Sequence, residues 1–134
     1  MVERFEVRRE LKIPYEEALR RVKNVEEIPK YWHGTRDLKI IKRDGGTYYV
    51  KVKLAFPGSS YYDAVITLLD NGIKIDYLST TFFKGVQQNF VTEKELVSVW
   101  ELELTTLGSL MKGWIINHFK EGTLHALMRI NGEM

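Results

Sequence analysis

Apolar and polar positions alternate from Phe5 to Ile13. Phe5, Val7, Arg9, Leu11 and Ile13 share one face, and Arg4, Glu6, Arg8, Glu10 and Lys12 share the other. A period of two marks a strand with one buried side. Pro14 suits the first turn of a helix, where its missing N–H would be unpaired anyway. Tyr15 to Lys23 reads as a short helix, with Glu16 and Glu17 at the positive end of its dipole. Asn24 and Glu27 have capping-box spacing for a second short helix, from about Val25 to Trp32. Pro29 limits its length or sits in its first turn, and Gly34 closes it.

From Asp37 the pattern becomes strands joined by turns. Leu38 to Lys42 is one strand, ending at Asp44-Gly45-Gly46. In the next, Tyr48, Val50, Val52, Leu54 and Phe56 point inward and Thr47, Tyr49, Lys51 and Lys53 outward. A three-residue turn at Pro57-Gly58-Ser59 would pair Leu54 with Tyr62 and Val52 with Ala64, continuing the inward set through Ile66 and Leu68. Asn71-Gly72 predicts a two-residue type I′ turn that pairs Leu68 with Ile75 and Ile66 with Tyr77. Ile73, Ile75, Tyr77 and Ser79 then face inward, with Lys74 and Asp76 outside. Gly85 to Thr92 and Leu96 to Thr105 are two further strands, with Trp100, Leu102 and Leu104 inward and Glu101 and Glu103 outward. The phase of Gln87-Gln88-Asn89 stays open, because a turn at Thr92 to Glu95 allows either. From about Gly108 to Ile130 the period turns helical. Leu107, Leu110, Met111, Trp114, Ile115, His118, Phe119 and Gly122 follow 3-4 spacing, and Leu124, Leu127 and Met128 follow in a shifted phase.

A strand, two short helices, six antiparallel strands and one long helix make an α+β layout. No linker, repeat or low-complexity stretch divides residues 1–134, so one domain is expected. Hydrophobic residues at 44% and charged residues at 28% fit a globular chain and exclude a disordered one. Twenty basic against eighteen acidic residues leave +2, without the excess of a nucleic-acid coat. No nucleic-acid partner is expected. The absence of cysteine excludes disulfides, thiolate zinc sites and a cysteine nucleophile. His33, His118 and His125 are scattered and outside any HExxH pattern, so no metal or cofactor is expected. The charged start carries no apolar leader, and no uncharged run approaches a membrane span. The expectation is a soluble cytoplasmic protein. Its oligomeric state is not legible.

The element order, the start Ile13-Pro14-Tyr15-Glu16-Glu17-Ala18-Leu19, and Glu27-Ile28-Pro29-Lys30-Tyr31-Trp32 before the second strand resemble the helix-grip superfamily. That superfamily includes START lipid-transfer domains, pollen-allergen-like proteins, coenzyme Q-binding proteins and polyketide aromatase/cyclases. More narrowly, the chain is similar to a small family from thermoacidophilic archaea proposed to carry fatty acids. The resemblance implies a long C-terminal helix over a curved sheet with a hydrophobic cavity between them. It also implies a carrier of a long apolar ligand, most directly a fatty acid, rather than an enzyme. A cyclase or dehydratase acting on a polyketide or aromatic substrate is the alternative. Asp44-Gly45-Gly46 is a short turn where allergen-like members carry a longer glycine-rich loop, which argues against a nucleotide role.

Arg9 breaks an apolar face. A buried guanidinium needs a partner. Either it has one within the chain or snorkels at the core's edge, or its planar fork takes a ligand carboxylate. His118 lies on the apolar helix face, as a core histidine or as a contact to a ligand head group. His125 and Arg129 are expected to face solvent. Trp32, Tyr48, Phe56, Tyr62, Tyr77, Phe90, Trp100, Trp114 and Phe119 are either ordinary core or the walls of an apolar pocket. Inward tyrosines favour the pocket, because a dry core prefers Phe. Leu54, Ile66, Ile75, Leu102 and Ile115 complete the expected lining, with Gln88 as a polar member in the even phase. Arg20, Arg21, Lys23 and Lys30 form a basic helix cluster, at most a transient contact with an anionic membrane surface.

Overall fold

Seven strands form one antiparallel sheet in the order β1-β7-β6-β5-β4-β3-β2. The computed structural model describes residues 2–56 and 60–134. β1 (Val2–Glu10) is followed by α1 (Tyr15–Lys23), a 3-10 turn (Val25–Glu27) and α2 (Ile28–Tyr31). The strands β2 (Thr35–Asp44), β3 (Thr47–Leu54), β4 (Tyr61–Leu69), β5 (Gly72–Tyr77), β6 (Phe83–Val91) and β7 (Glu95–Leu104) follow in sequence. The chain ends in α3 (Thr106–Leu110) and α4 (Lys112–Ile130). The sheet is curved, and the helices lie on its inner side.

The inward sets hold. Val50, Val52, Leu54, Ile66, Ile75, Trp100 and Leu102 are all buried, while Lys51 and Lys53 are exposed. Both hairpin registers are nevertheless displaced by two residues. Val52, not Leu54, pairs with Tyr62. The expected Pro57-Gly58-Ser59 turn lies outside the described residues. Ile66 pairs with Ile75 and Ala64 with Tyr77, because the second turn is Asp70-Asn71 and Gly72 already belongs to β5. Neither turn residue has positive φ, which excludes type I′. Gly72 serves a different need: a Cβ there would lie 1.9 Å from the Asn89 carbonyl oxygen on β6. A slip of two leaves every side chain on its own face, so the inward pattern survives the wrong pairings. Ser79 is exposed, beyond the end of β5, and the buried residue is Thr80.

Local expectations for the helices also change. Pro14 is the N-cap of α1, its carbonyl accepting from Ala18 N–H at 3.0 Å. Asn24 makes no side-chain capping bond, so the capping box does not form; the segment is a 3-10 turn running into α2, which ends at Tyr31. The long C-terminal helix is broken at Met111. The Thr105 side chain caps α3 by accepting from Gly108 N–H at 3.0 Å. Gly108 is pressed so closely on the residue before β6 that a Cβ would lie 2.0 Å from the Phe82 carbonyl oxygen. α4 packs through Ile115, Leu127 and Ile130. Leu107 and Leu110, placed on the apolar face by spacing, are exposed.

Candidate functional site

A cavity of about 290 Å³ opens between the sheet and α4. Trp32, Leu54, Phe56, Tyr77, Trp100, Trp114, His118 and Phe119 line it, as expected. Phe83 and Ala55 add apolar wall. The rings pack in series. Trp100 stacks on Tyr77 at 5.8 Å and lies 5.1 Å from Phe119, which meets Phe83 edge-on at 5.3 Å. Phe83 in turn meets Phe56 edge-on at 6.3 Å. All three tryptophans of the chain therefore touch this space.

At the closed end most of the polar groups are spent on each other. The Tyr77 hydroxyl donates to Gln87 Oε1 at 3.3 Å, and Gln87 Nε2 donates to Asn89 Oδ1 at 3.0 Å. Ser98 Oγ donates to the same oxygen at 2.6 Å. Among the described residues the Asn89 amide nitrogen has no partner. Trp100 Nε1 donates to Thr123 Oγ1 at 3.0 Å, tying β7 to α4 across the cavity wall. Burial pushes the Tyr77 phenol well above its ordinary value, so it stays neutral.

The open end is built differently. Trp114 is 42% exposed, and His118 stacks on it at 4.1 Å. His118 is thus an exposed residue of the rim rather than a core histidine. Residues His33 to Arg36 also line the cavity where the chain leaves α2 and enters β2, with His33, Gly34 and Arg36 exposed. His33 and Arg36 have no side-chain hydrogen bond or ion pair among the described residues. Residues 33–36 carry no hydrophobic period, and nothing in the sequence marks them as a rim. Gly122 and Thr123 of α4 also line the cavity.

Nine expected residues do not line it. Arg9 is closed off by the C-terminal tail: its Nη2 and Nε lie 2.6 and 3.0 Å from the two carboxylate oxygens of Glu133. An internal partner is one of the readings that its place on an apolar face offers, and Glu133 takes the two nitrogens that a ligand carboxylate would need. The Arg9 bond also holds the Glu133 carboxyl down at about 2. Gln88 is exposed and Phe90 shares its phase, because Val91 pairs with Leu96 and the odd residues of β6 take the inner face. Gln87 and Asn89 are the inward polar residues. Ile66, Ile75, Leu102 and Ile115 are core beneath the cavity, and Tyr48 and Tyr62 are half-buried, Tyr48 with Arg43 against its ring at 4.8 Å. Arg129 is not free in solvent; it donates to the Tyr31 carbonyl oxygen at 3.1 Å. Among the described residues no group of three or more His, Asp or Glu is placed to hold a metal ion.

No protein-family model matches the chain, and no curated protein matches its sequence. Solved structures do match in shape. A Streptomyces aromatase/cyclase, Zhui, superposes with a TM-score of 0.80 over 99% of this chain and 93% of its own, at 12% identity. A START superfamily protein from Mycobacterium smegmatis gives 0.65 over 95% and 98%, also at 12% identity. Ara h 8.0201 gives 0.61 over 97% and 98%, at 13% identity. The fold is the helix-grip fold. At these identities the likeness establishes the architecture and leaves the chemistry to the residues of this chain. No helix among the described residues is long and apolar enough to cross a membrane.

Proposed function

We propose that this helix-grip protein is a non-enzymatic carrier of a long-chain apolar ligand, most directly a fatty acid, with the chain in the cavity and the carboxylate at the rim. The observation that carries the reading is the segregation inside the cavity. Its walls are aromatic and aliphatic, its closed-end polar lining residues Tyr77, Gln87 and Thr123 are already bonded, and Arg36, a cation with no partner among the described residues, stands at the mouth beside His33. A single acyl chain suits this layout, because its one polar end can stay at the rim while methylenes displace water from the walls. Each buried methylene contributes about 0.8 kcal/mol, so a chain of moderate length offsets the cost of association without covalent chemistry. A volume at the low end of the ~300–1,000 Å³ of small-molecule sites favours one chain over a bulky polycycle.

An enzyme needs at least two converging titratable groups. The cavity offers Tyr77, held neutral by burial and bonded to Gln87, and two histidines at the rim. The aromatic wall is the observation that favours the second reading, a cyclase or dehydratase acting on a ring-forming substrate; the likeness in shape to the Streptomyces aromatase/cyclase supports it as well. The two readings separate in one experiment. Mass spectrometry of the organic extract of the purified protein should find a long-chain acid, and titration with that acid should change the emission of the three tryptophans saturably. Absence of any extractable apolar ligand, together with flat emission across a series of fatty acids, overturns the carrier. Turnover of a ring-forming substrate installs the enzyme instead.

A further inference from the structure

We propose that the β2–β3 hairpin is a docking surface for an anionic lipid bilayer, a property that stands whatever the cavity holds. Residues 35–54 carry six cations, Arg36, Lys39, Lys42, Arg43, Lys51 and Lys53, against Asp37 and Asp44. The hairpin is therefore +4 in a chain of +2, leaving −2 for everything else. Five of its six cations also have no ion-pair partner among the described residues. Most cations elsewhere are paired: Arg20 and Arg21 with Glu17, Arg8 with Glu95, Lys84 with Glu103, Lys112 with Glu3. The basic cluster of α1 is thereby largely neutralised. In the hairpin only Lys51 has an ion-pair partner among the described residues, Asp63 at 2.8 Å.

The register puts four of these cations, Lys39, Lys42, Lys51 and Lys53, on the outer face, with Asp37 opposite Lys53 and bonded to the Tyr61 hydroxyl, while Arg43 lies opposite the inward Tyr48 and Arg36 at the cavity mouth. Lys39 stands directly opposite Lys51 on the outer face of the sheet, an arrangement that costs stability in isolation. Lys42 lies opposite Tyr49 and Lys53 opposite Tyr61 on the same face. Both tyrosines are exposed, with Lys39 4.5 Å from the Tyr61 ring and Lys42 5.9 Å from the Tyr49 ring. β2 is the sheet's edge, and a register shift between Ile40 and Lys42 takes Ile41 out of the ladder, 61% exposed. Free cations, exposed tyrosines and a protruding aliphatic side chain are what a negatively charged bilayer surface receives: charge at the headgroups, phenols at the interface, one apolar contact below.

Other occupants fit less well. A second copy pairing along β2 would bring two +4 hairpins together. Single-stranded nucleic acid needs aromatic faces open for base stacking, and here lysine ammoniums lie against them. Edge lysines also guard a strand against aggregation, but that role needs charge and not its sign.

Co-sedimentation of the full chain with vesicles tests the proposal. Binding is expected to vesicles of phosphatidylcholine with about one-third phosphatidylglycerol. It should be absent with phosphatidylcholine alone, and lost in about 0.5 M salt. The double variant Lys39→Glu/Lys42→Glu keeps a charged edge, so it should stay folded and unaggregated while its partition coefficient falls at least about tenfold. Lys42→Gln/Lys53→Gln, gentler on the edge, should show a smaller loss in the same direction, and Ile41→Ser a smaller loss that salt does not mimic. Equal binding to neutral vesicles, no binding to anionic ones, or undiminished binding by folded Lys39→Glu/Lys42→Glu each overturns it. Salt-sensitive binding of a single-stranded oligonucleotide with no vesicle binding overturns it in favour of nucleic acid. Because fatty-acid titration is read separately by tryptophan emission, failure here leaves the carrier reading untouched.

Discussion

The two ends of the cavity use polar groups in opposite ways. At the closed end Tyr77, Gln87, Asn89 and Ser98 form a buried chain of hydrogen bonds, and Trp100 is tied to Thr123. At the mouth His33 and Arg36 are exposed and unpartnered among the described residues, and His118 leans on an exposed tryptophan. Buried polar groups must be satisfied or they destabilise the fold, so the closed end is constrained by stability. Water satisfies the mouth, and its residue types are free to be chosen for what enters. Substitutions at the closed end should therefore act on folding, and those at the mouth on binding.

The largest effect is expected for Trp100→Ala. The side chain is 6% exposed and touches Phe5, Tyr77 and Phe119. Its loss removes buried apolar surface and extends an existing void, costing about 3–5 kcal/mol by urea denaturation. A cost under about 1 kcal/mol would mean that the walls at the closed end are not stability-limited. Thr123→Val comes next. It keeps the shape and removes the acceptor of the Trp100 N–H, leaving a buried donor unsatisfied for about 1–3 kcal/mol. If fatty-acid affinity fell with no change in stability, Thr123 would belong with the mouth.

At the mouth, Arg36→Met should leave stability unchanged and weaken a fatty acid by about tenfold, a charge-assisted contact reduced by solvent. The matching alcohol should lose far less. Calorimetry on both ligands decides it, and equal losses would place the carboxylate elsewhere.

Much of this architecture was legible in the sequence. Inward and outward faces were read correctly for β1, β3, β4, β5 and β7, because alternation tolerates any slip of two residues. Pairing was not legible, because it depends on where each turn begins. The glycine of Asn71-Gly72 marked a close approach to Asn89 rather than a turn conformation. The phase of β6 hung on one residue of its turn, so Gln88 stood in for Gln87 and Phe90 was carried with it. Eight lining residues were found, since bulky inward aromatics near one end of a sheet have few places to go. The rim from His33 to Arg36 was missed because curvature, not periodicity, brings it to the cavity. Arg9 was conspicuous for a good reason, a charge on an apolar face. That pattern announces a need for a partner and says nothing of where the partner comes from. Glu133 lies 124 positions away.

The Arg9–Glu133 pair extends the comparison to the surface: a conspicuous arginine that is already committed, beside the inconspicuous Arg36 that is not. Arg9→Met should leave the affinity for fatty acid and alcohol alike unchanged, the reverse of Arg36→Met. Its effect on stability should carry a pH signature. Bonding to Arg9, with help from Asn131 and the nearby charge of Lys12, lowers the Glu133 carboxyl from 4.5 to about 2 in the folded chain. Between those values the unfolded chain binds the proton and the folded chain does not, so stability rises with pH across that window. The contribution is fully present above about pH 5, declines as pH falls below 4.5, and is gone near pH 2. Arg9 stays charged throughout, so the carboxylate alone titrates. Both side chains retain some exposure, 34% and 20%, so screening keeps the effect small, the smallest of this set. Denaturation midpoints of wild type and Glu133→Gln, measured from pH 7 down to about pH 2.5, should differ by a constant amount at the upper end and converge below 4.5. A difference that persists or grows toward low pH would show that the tail is held by Asn131 and its backbone contacts to β1 rather than by the ion pair. Arg9 would then be left with its original question open.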